Sequence, residues 1–288
     1  MPLKNTTGVI VGLEAFDMLT RILAAVVLLP LLLIVLLIAP TVWTAILFAA
    51  VCGVGAYELL WGTGMVRKLR PVIYTVAIAA MIPLWCYFGC DVALGKAGLL
   101  AFFCLLFMEM MLSKLSWGFD KLAVCVCGGL VIPYLLSSLV RVSILFNGRY
   151  LILIPFAVAF MSDSGAYFVG CAIGKHKMAP VISPKKSWEG FFGGLASGVV
   201  GMIVYVLVLQ RGFGFTVNYL YAAIYGLAGA LAGVFGDLCF SVIKRQTGIK
   251  DYGNLIPGHG GVLDRFDSII VVAPLIELLL HWLPVVVK

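Results

Sequence analysis

The stretch TRILAAVVLLPLLLIVLLIAPTVWTAILFAAVCGVGAYELLW, Thr20 to Trp61, constrains this chain more than any other part of it. A helix crosses the hydrocarbon core of a bilayer with about 20 apolar residues, so the stretch fits two spans joined by a tight turn at Pro40 and Thr41, not one. Runs of the same kind recur to the C-terminus, separated by short polar interruptions, and 63% of the residues are hydrophobic while 11% are charged. Soluble domains average about 25% charged residues, which excludes them as a class. The chain reads as an all-α polytopic membrane protein.

The interruptions predict about nine transmembrane helices, near residues 22–40, 43–61, 71–89, 96–113, 121–140, 150–170, 190–210, 218–243 and 267–286. The segment KNTTGVIVGLEAFDMLT before Arg21 carries Glu14 and Asp17 and lacks a basic region followed by a cleavage site, so a surface helix is expected there rather than a removed signal. Nine spans place most of the 20 Lys and Arg residues on one side. Cytoplasmic loops carry the excess of positive charge, which puts the N-terminus in the cytoplasm and the C-terminus on the opposite side of the cell (inner) membrane. The net charge of +7 is thereby concentrated on one face. It suits membrane lipid headgroups or phosphorylated solutes, with no nucleic acid expected. The eight cysteines form no CxxC pair, so free thiols and no zinc site are expected.

Residues 1–148 read as N-terminal scaffold: a surface helix and about five spans in which Glu58, Asp91, Glu109 and Asp120 are isolated charges. Residues 149–288, about four spans, carry acidic residues at membrane depth and long basic loops rich in glycine and proline. Function is expected in this half, with its site facing the cytoplasm.

Asp163, in AFMSDSGAYFVG, lies well inside an apolar run. A charge there costs about 2.5 to 3.5 kcal/mol, so it survives facing a cavity, a partner or an ion; a protonated or paired structural carboxylate is the alternative. Asp237, Ser241 and Lys244 or Arg245 follow at steps of three to four, which stacks them on one helical face. Asp237 would sit roughly 10 Å below Lys244, a depth similar to that expected for Asp163. It would serve a shared site or pair with a cation from a neighbouring helix. Asp264 and Asp267 open the ninth span, where the helix N-terminus favours carboxylates and capping is an alternative role. Four convergent Asp oxygens are hard ligands suited to Mg²⁺. The PGHGG loop, with His259, Gly260 and Gly261, lets a backbone approach a ligand closely. In GKHKMAPVISPKKSWEG, Lys185 and Lys186 precede a helix start and make a plausible anion cradle, whereas His176 reads as an exposed loop residue. Gly226, Gly229, Gly233 and Gly236 recur at steps of three and four, a pattern of close helix packing.

Carboxylates for metal, cations for phosphates and a glycine loop at one rim point to phosphoryl or nucleotidyl transfer on a lipid. The pattern S-x-x-K-R-x4-K-D-x-G-x2-I-P-x-H-G-G-x2-D-R-x-D, Ser241 through Asp267, resembles the signature of the phosphatidate cytidylyltransferase, or CDP-diacylglycerol synthase, family. SDSGAYFVG and ISPKKSWEG resemble two further recurrent segments of that family, although no basic residue stands at Cys171 or Ala172, where many relatives carry one.

The resemblance implies Mg²⁺-dependent transfer of a cytidylyl group from CTP to phosphatidate, giving CDP-diacylglycerol and pyrophosphate in phospholipid biosynthesis. It implies Asp237 and Asp264 as principal metal ligands, with Asp163 and Asp267 completing the shell or holding a second cation, and Lys244 and Arg245 beside the aspartates in the catalytic set. Substrate contacts are expected from Ser162, Lys185, Lys186, Glu189, Ser241, Lys250, Asp251, His259, Gly260, Gly261 and Arg265. A homodimer is compatible with the resemblance. A CTP-dependent lipid kinase would release CDP instead of pyrophosphate. A transporter would show matched broken helices in its two halves, which are not seen. A CDP-alcohol phosphotransferase needs an Asp-Gly dipeptide, which the chain lacks.

Overall fold

The computed structural model describes residues 26–89, 91–114 and 116–287. The surface helix expected before Arg21 lies outside these residues. Eight helices come first: α1 Val26–Leu37, α2 Thr41–Gly62, α3 Leu69–Phe88, α4 Val92–Leu112, α5 Phe119–Ser143, α6 Gly148–Ile173, α7 Trp188–Phe213 and α8 Tyr219–Gln246. They are followed by the short α9 Leu263–Phe266 and by α10 Ile269–Trp282. Seven of them, α2 to α8, are long and apolar enough to cross a membrane, and the described part of α1 is shorter. Helices α1 to α8 fall in the first eight regions expected as spans and α10 in the ninth, with α9 just ahead of it.

The boundaries follow local chemistry. Pro40, with φ −54° and ψ 143°, separates α1 from α2. Asp91 caps α4 by accepting the Ala93 N–H at 3.0 Å, so one isolated acid of the first half is a cap. Another, Glu109, pairs with Lys68 at 3.4 Å. Ser187 and Asn218 cap α7 and α8 in the same way as Asp91. Asp267 and Ser268, between α9 and α10, keep right-handed helical backbone angles. The last helical stretch thus begins at Leu263, four residues ahead of the expected start.

All-helical architecture needs one correction. Two antiparallel ribbons are present: β1 Lys177–Ala179 with β2 Ser183–Ser187, and β3 Thr216–Val217 with β4 Val286–Val287. Both lie outside the helices, where pairing satisfies backbone groups that no helix serves. The first ribbon joins α6 to α7, and the second ties the chain's end to the connection at the other end of α7.

The second half packs tightly because small residues meet. Gly226 approaches Gly198 of α7, Gly229 meets Val158 of α6, and Gly233 meets Val272 of α10, as the sequence spacing suggests. At Gly236 the approach is closest in consequence: a Cβ there would stand 2.7 Å from the Asp267 carbonyl oxygen and 3.1 Å from the Ser268 Cα. Absence of a side chain therefore lets α8 bring Asp237 against the turn that carries Asp267. The halves are also joined by a bidentate pair, in which Arg141 of α5 donates to Glu277 of α10 at 2.6 and 2.7 Å.

Candidate active site

The end of α8 carries Asp237, Ser241, Lys244 and Arg245 along its last turns. Ser241 donates to Asp237 Oδ1 at 3.4 Å, and Lys186 of β2 forms an ion pair with Asp237 Oδ2. Asp237 thus has the cationic partner weighed as its structural alternative, but from a strand and not from a neighbouring helix. Three residues beyond Ser241, Lys244 Nζ donates to Asp264 Oδ1 at 2.9 Å and stands 4.0 Å from Asp267 Oδ2. Asp264 and Asp267, three apart at the start of the last helix, share one ammonium group.

The other oxygen of Asp264 faces the loop between α8 and α9. It accepts the backbone N–H of Tyr252 at 2.8 Å and of Gly261 at 3.1 Å. Tyr252 is itself anchored, its hydroxyl donating to the Phe240 carbonyl at 2.9 Å and its ring lying 5.5 Å from Lys244 Nζ. Burial, and next the Asp264 charge, push its phenol above the ordinary range, so it stays neutral. Within the loop Gly258 and Gly260 have φ of +72° and +83°, and Ile256 pairs with Gly260 in an isolated bridge. The glycines of PGHGG serve a turn that L side chains disfavour.

Glu58, at the end of α2, is a participant that sequence reasoning assigned to the scaffold. It is 4% exposed and accepts the N–H groups of Val262 at 3.0 Å and Leu263 at 2.8 Å. This cap explains why the helix begins at Leu263. The available signal is an acid within an apolar run, the kind of signal that marks Asp163.

The β1–β2 ribbon closes one side. Arg245 Nε donates to the Ile182 carbonyl at 3.1 Å, which holds the ribbon to α8. His176, expected in an exposed loop, is exposed, but its Nδ1 lies 2.6 Å from Glu189 Oε1. Glu189 therefore fastens the ribbon to α7 and is occupied. Lys185 is exposed on β2 with Lys186 half-buried beside it.

Two cavities meet at Asp163. One, of about 190 Å³, lies under the ribbon and is lined by Asp163, Tyr167, Lys185, Lys186 and Phe191 among others. The second, of about 490 Å³, runs between α1, α6 and the last helical stretch. Its inner end holds Asp163, His259, Asp264, Arg265 and Asp267, and its outer wall is Leu28, Leu29, Leu32, Phe156 and Phe160. Polar at one end and apolar at the other, it has the form of a slot for an amphiphile.

Asp163, Lys185, Lys186, His259, Asp264, Arg265 and Asp267 of the expected site line these cavities. Ser162 does not: it is 2% exposed and packs against Gly194 of α7. Lys250 and Asp251 are exposed on the loop after α8. Among the described residues no three His, Cys, Asp or Glu side chains converge closely enough to hold a metal. Ammonium groups sit on Asp237 and Asp264 instead. The donor set is nevertheless hard oxygen, and Mg²⁺ is commonly held by one or two carboxylates together with substrate phosphates rather than by an all-protein cage.

A model of the Cytidylyltransferase family matches residues 19–283. The phosphatidate cytidylyltransferase of Staphylococcus haemolyticus is 34% identical over 272 residues, covering 91% of this chain and 97% of that protein. That of Bacillus subtilis is 33% identical over 272 residues, covering 91% and 96%. The Haemophilus influenzae protein of the same name is 43% identical over 129 residues, 45% of each chain.

Proposed function

The chain belongs to the cytidylyltransferase family and is a nucleotidyltransferase, and from that premise we propose that it transfers the cytidylyl group of CTP to phosphatidate, giving CDP-diacylglycerol and pyrophosphate. The observation that carries this reading is the position of Asp163, which lines both the cavity under the basic ribbon and the slot with an apolar outer wall. A hydrophilic nucleotide and an amphiphilic lipid need separate approaches that end at one place.

In this reading CTP enters beneath the ribbon, where Lys185 and Lys186 meet its phosphates, and the lipid lies in the slot with its acyl chains against Leu28, Leu29, Phe156 and Phe160. Lys244, Arg245 and Arg265 hold the lipid phosphate and the triphosphate, two anions that repel each other in solution. An oxygen of the lipid phosphate forms a bond to the α-phosphorus as the bond from that phosphorus to the bridging oxygen breaks, and pyrophosphate leaves. An ionised phosphate monoester is already nucleophilic, so no side chain has to remove a proton. Asp237 and Asp264 would be the principal holders of Mg²⁺, with Asp163 and Asp267 beside them. When bound with the nucleotide, that ion supplies charge neutralisation on the phosphates. The Lys186 and Lys244 ammonium groups hold Asp237 and Asp264 in place before substrates arrive.

For the membrane arrangement we propose nine crossings, α1 and the stretch α9–α10 included, with the N-terminus and the active site cytoplasmic. The concentration of Lys and Arg on the side of the β1–β2 ribbon supports this orientation.

Pyrophosphate release by the purified protein in detergent, with CTP, Mg²⁺ and phosphatidate each omitted in turn, tests the proposal. Release that needs all three is expected. CDP in place of pyrophosphate would make the enzyme a lipid kinase, and the α-phosphorus mechanism would be wrong.

A further inference from the structure

Glu58 lies far in sequence from every reactive residue, yet it is built into the loop that presents Asp264. Its two oxygens accept separate backbone donors, Oε1 from Val262 at 3.0 Å and Oε2 from Leu263 at 2.8 Å. The surrounding chain leaves it no slack. A Cβ on Gly253 would lie 2.5 Å from Oε1, and one on Gly261 would lie 2.7 Å from Oε2. At the next turn of α2, a Cβ on Gly62 would lie 2.0 Å from the Tyr252 carbonyl oxygen. The end of α2 is thus pressed against both ends of the loop.

The two amides that hold Asp264 Oδ2 belong to Tyr252 and Gly261. Tyr252 adjoins Gly253, and Gly261 adjoins Val262, so each of these donors sits within one residue of a position that Glu58 contacts. A buried carboxylate accepting two N–H groups makes strong, directional bonds, and either donor left unpaired carries a desolvation penalty.

We propose that Glu58 is a positioning residue: by clasping Gly253, Gly261, Val262 and Leu263 it fixes the backbone donors that orient the Asp264 carboxylate. The inference rests on the reading of Asp264 as part of the reactive site. It gives the first half of the chain a part in catalysis beyond scaffold.

Glu58→Gln is the informative variant, because glutamine fills the same space but turns an NH₂ group toward one of the two donors. If Glu58 only filled space, glutamine would restore function. Expected instead is a kcat at least about tenfold below wild type, the size of one lost buried hydrogen bond. KM for CTP should change by less than about threefold, because the loss falls on the reacting geometry and not on uniform binding. Amide hydrogen exchange, read without substrate, should accelerate in peptides covering residues 252–263 and stay unchanged in α6 and α7. Wild-type kcat, or unchanged exchange in that loop, overturns the proposal. Should the glutamine variant not accumulate in membranes, Gly253→Ala, which displaces the carboxylate without removing it, decides by the same two readouts. A wild-type protein with no turnover would sink the functional reading and the positioning role with it. An active wild type with an indifferent variant would sink the positioning role alone.

Discussion

Lys186 of β2 and Asp237 of α8 form an ion pair that bridges the basic ribbon and the carboxylate face of the eighth helix. From sequence the two residues suit different ligands, a phosphate and a cation. Paired, they hold each other at the mouth of the cavity that Asp163 also lines. In the proposed function, a nucleotide arriving with its cation would give both groups new partners of the sign they lose.

Lys186→Ala removes the proposed phosphate ligand and the ion-pair partner of Asp237. We expect kcat/KM for CTP to fall at least about tenfold, the size of one charge-assisted hydrogen bond. Lys185→Ala, exposed and outside the pair, should have the smaller effect. Steady-state pyrophosphate release over a range of CTP concentrations checks the order; an equal or larger loss at Lys185 would remove the pair from the binding scheme.

Asp264→Asn and Asp237→Asn should both lose at least about a hundredfold in turnover, because in the proposed reaction each is a principal holder of the cation that neutralises the phosphates. Their stabilities should differ. The Asp264 side chain is 2% exposed against 29% for Asp237. Breaking a buried pair by removing one partner costs about 3 to 5 kcal/mol, whereas a half-open pair contributes about 1 kcal/mol or less. Thermal melting in detergent should therefore show a clear drop for Asp264→Asn and little for Asp237→Asn. Full activity in either variant would end its assignment.

What was legible in the sequence has a physical pattern. The helices were, because each declares itself through an apolar run tens of residues long. Asp163 and Asp237 stand out because a carboxylate at membrane depth is conspicuous whatever it touches, and Asp264 and Asp267 because they open the last span three residues apart. Partners were not legible. Glu58 meets Val262 and Leu263 across some 200 residues of chain, as Lys186 meets Asp237 from the far side of α7, and no periodicity encodes such meetings. Glu189 was expected at substrate and instead fastens the ribbon through His176; the serine before Asp163 was expected at the site and instead faces α7. In both cases the neighbouring residue was reachable only once helix rotation was known. The ribbons are not legible because strands of two to five residues between or after helices look like loop.

Gly236→Ala tests whether helix approach sets the site. Its added methyl would stand 2.7 Å from the Asp267 carbonyl oxygen, a backbone atom that moves only if α8 and the last helix part. Overpacking of this kind costs about 1 to 3 kcal/mol, so melting should shift downward. Activity should fall further than stability accounts for, since Asp237 and Asp267 ride on the two surfaces pushed apart. Gly212→Ala, where an added Cβ meets nothing within 4 Å, is the control and should retain activity.

The slot between α1, α6 and the last helical stretch predicts how lipid and nucleotide kinetics separate. Leu29, 49% exposed, lies on its apolar wall. Leu29→Trp narrows the wall without touching the phosphate end. If acyl chains lie there, displacing two methylenes costs about 1.6 kcal/mol, roughly tenfold in KM for long-chain phosphatidate. KM for CTP should not move, and a short-chain phosphatidate that ends before the wall should be used as by wild type. Mixed-micelle kinetics with the two lipids reads the difference directly. Equal loss with short and long chains would place the acyl path elsewhere, because a defect that ignores chain length acts at the headgroup or on the fold.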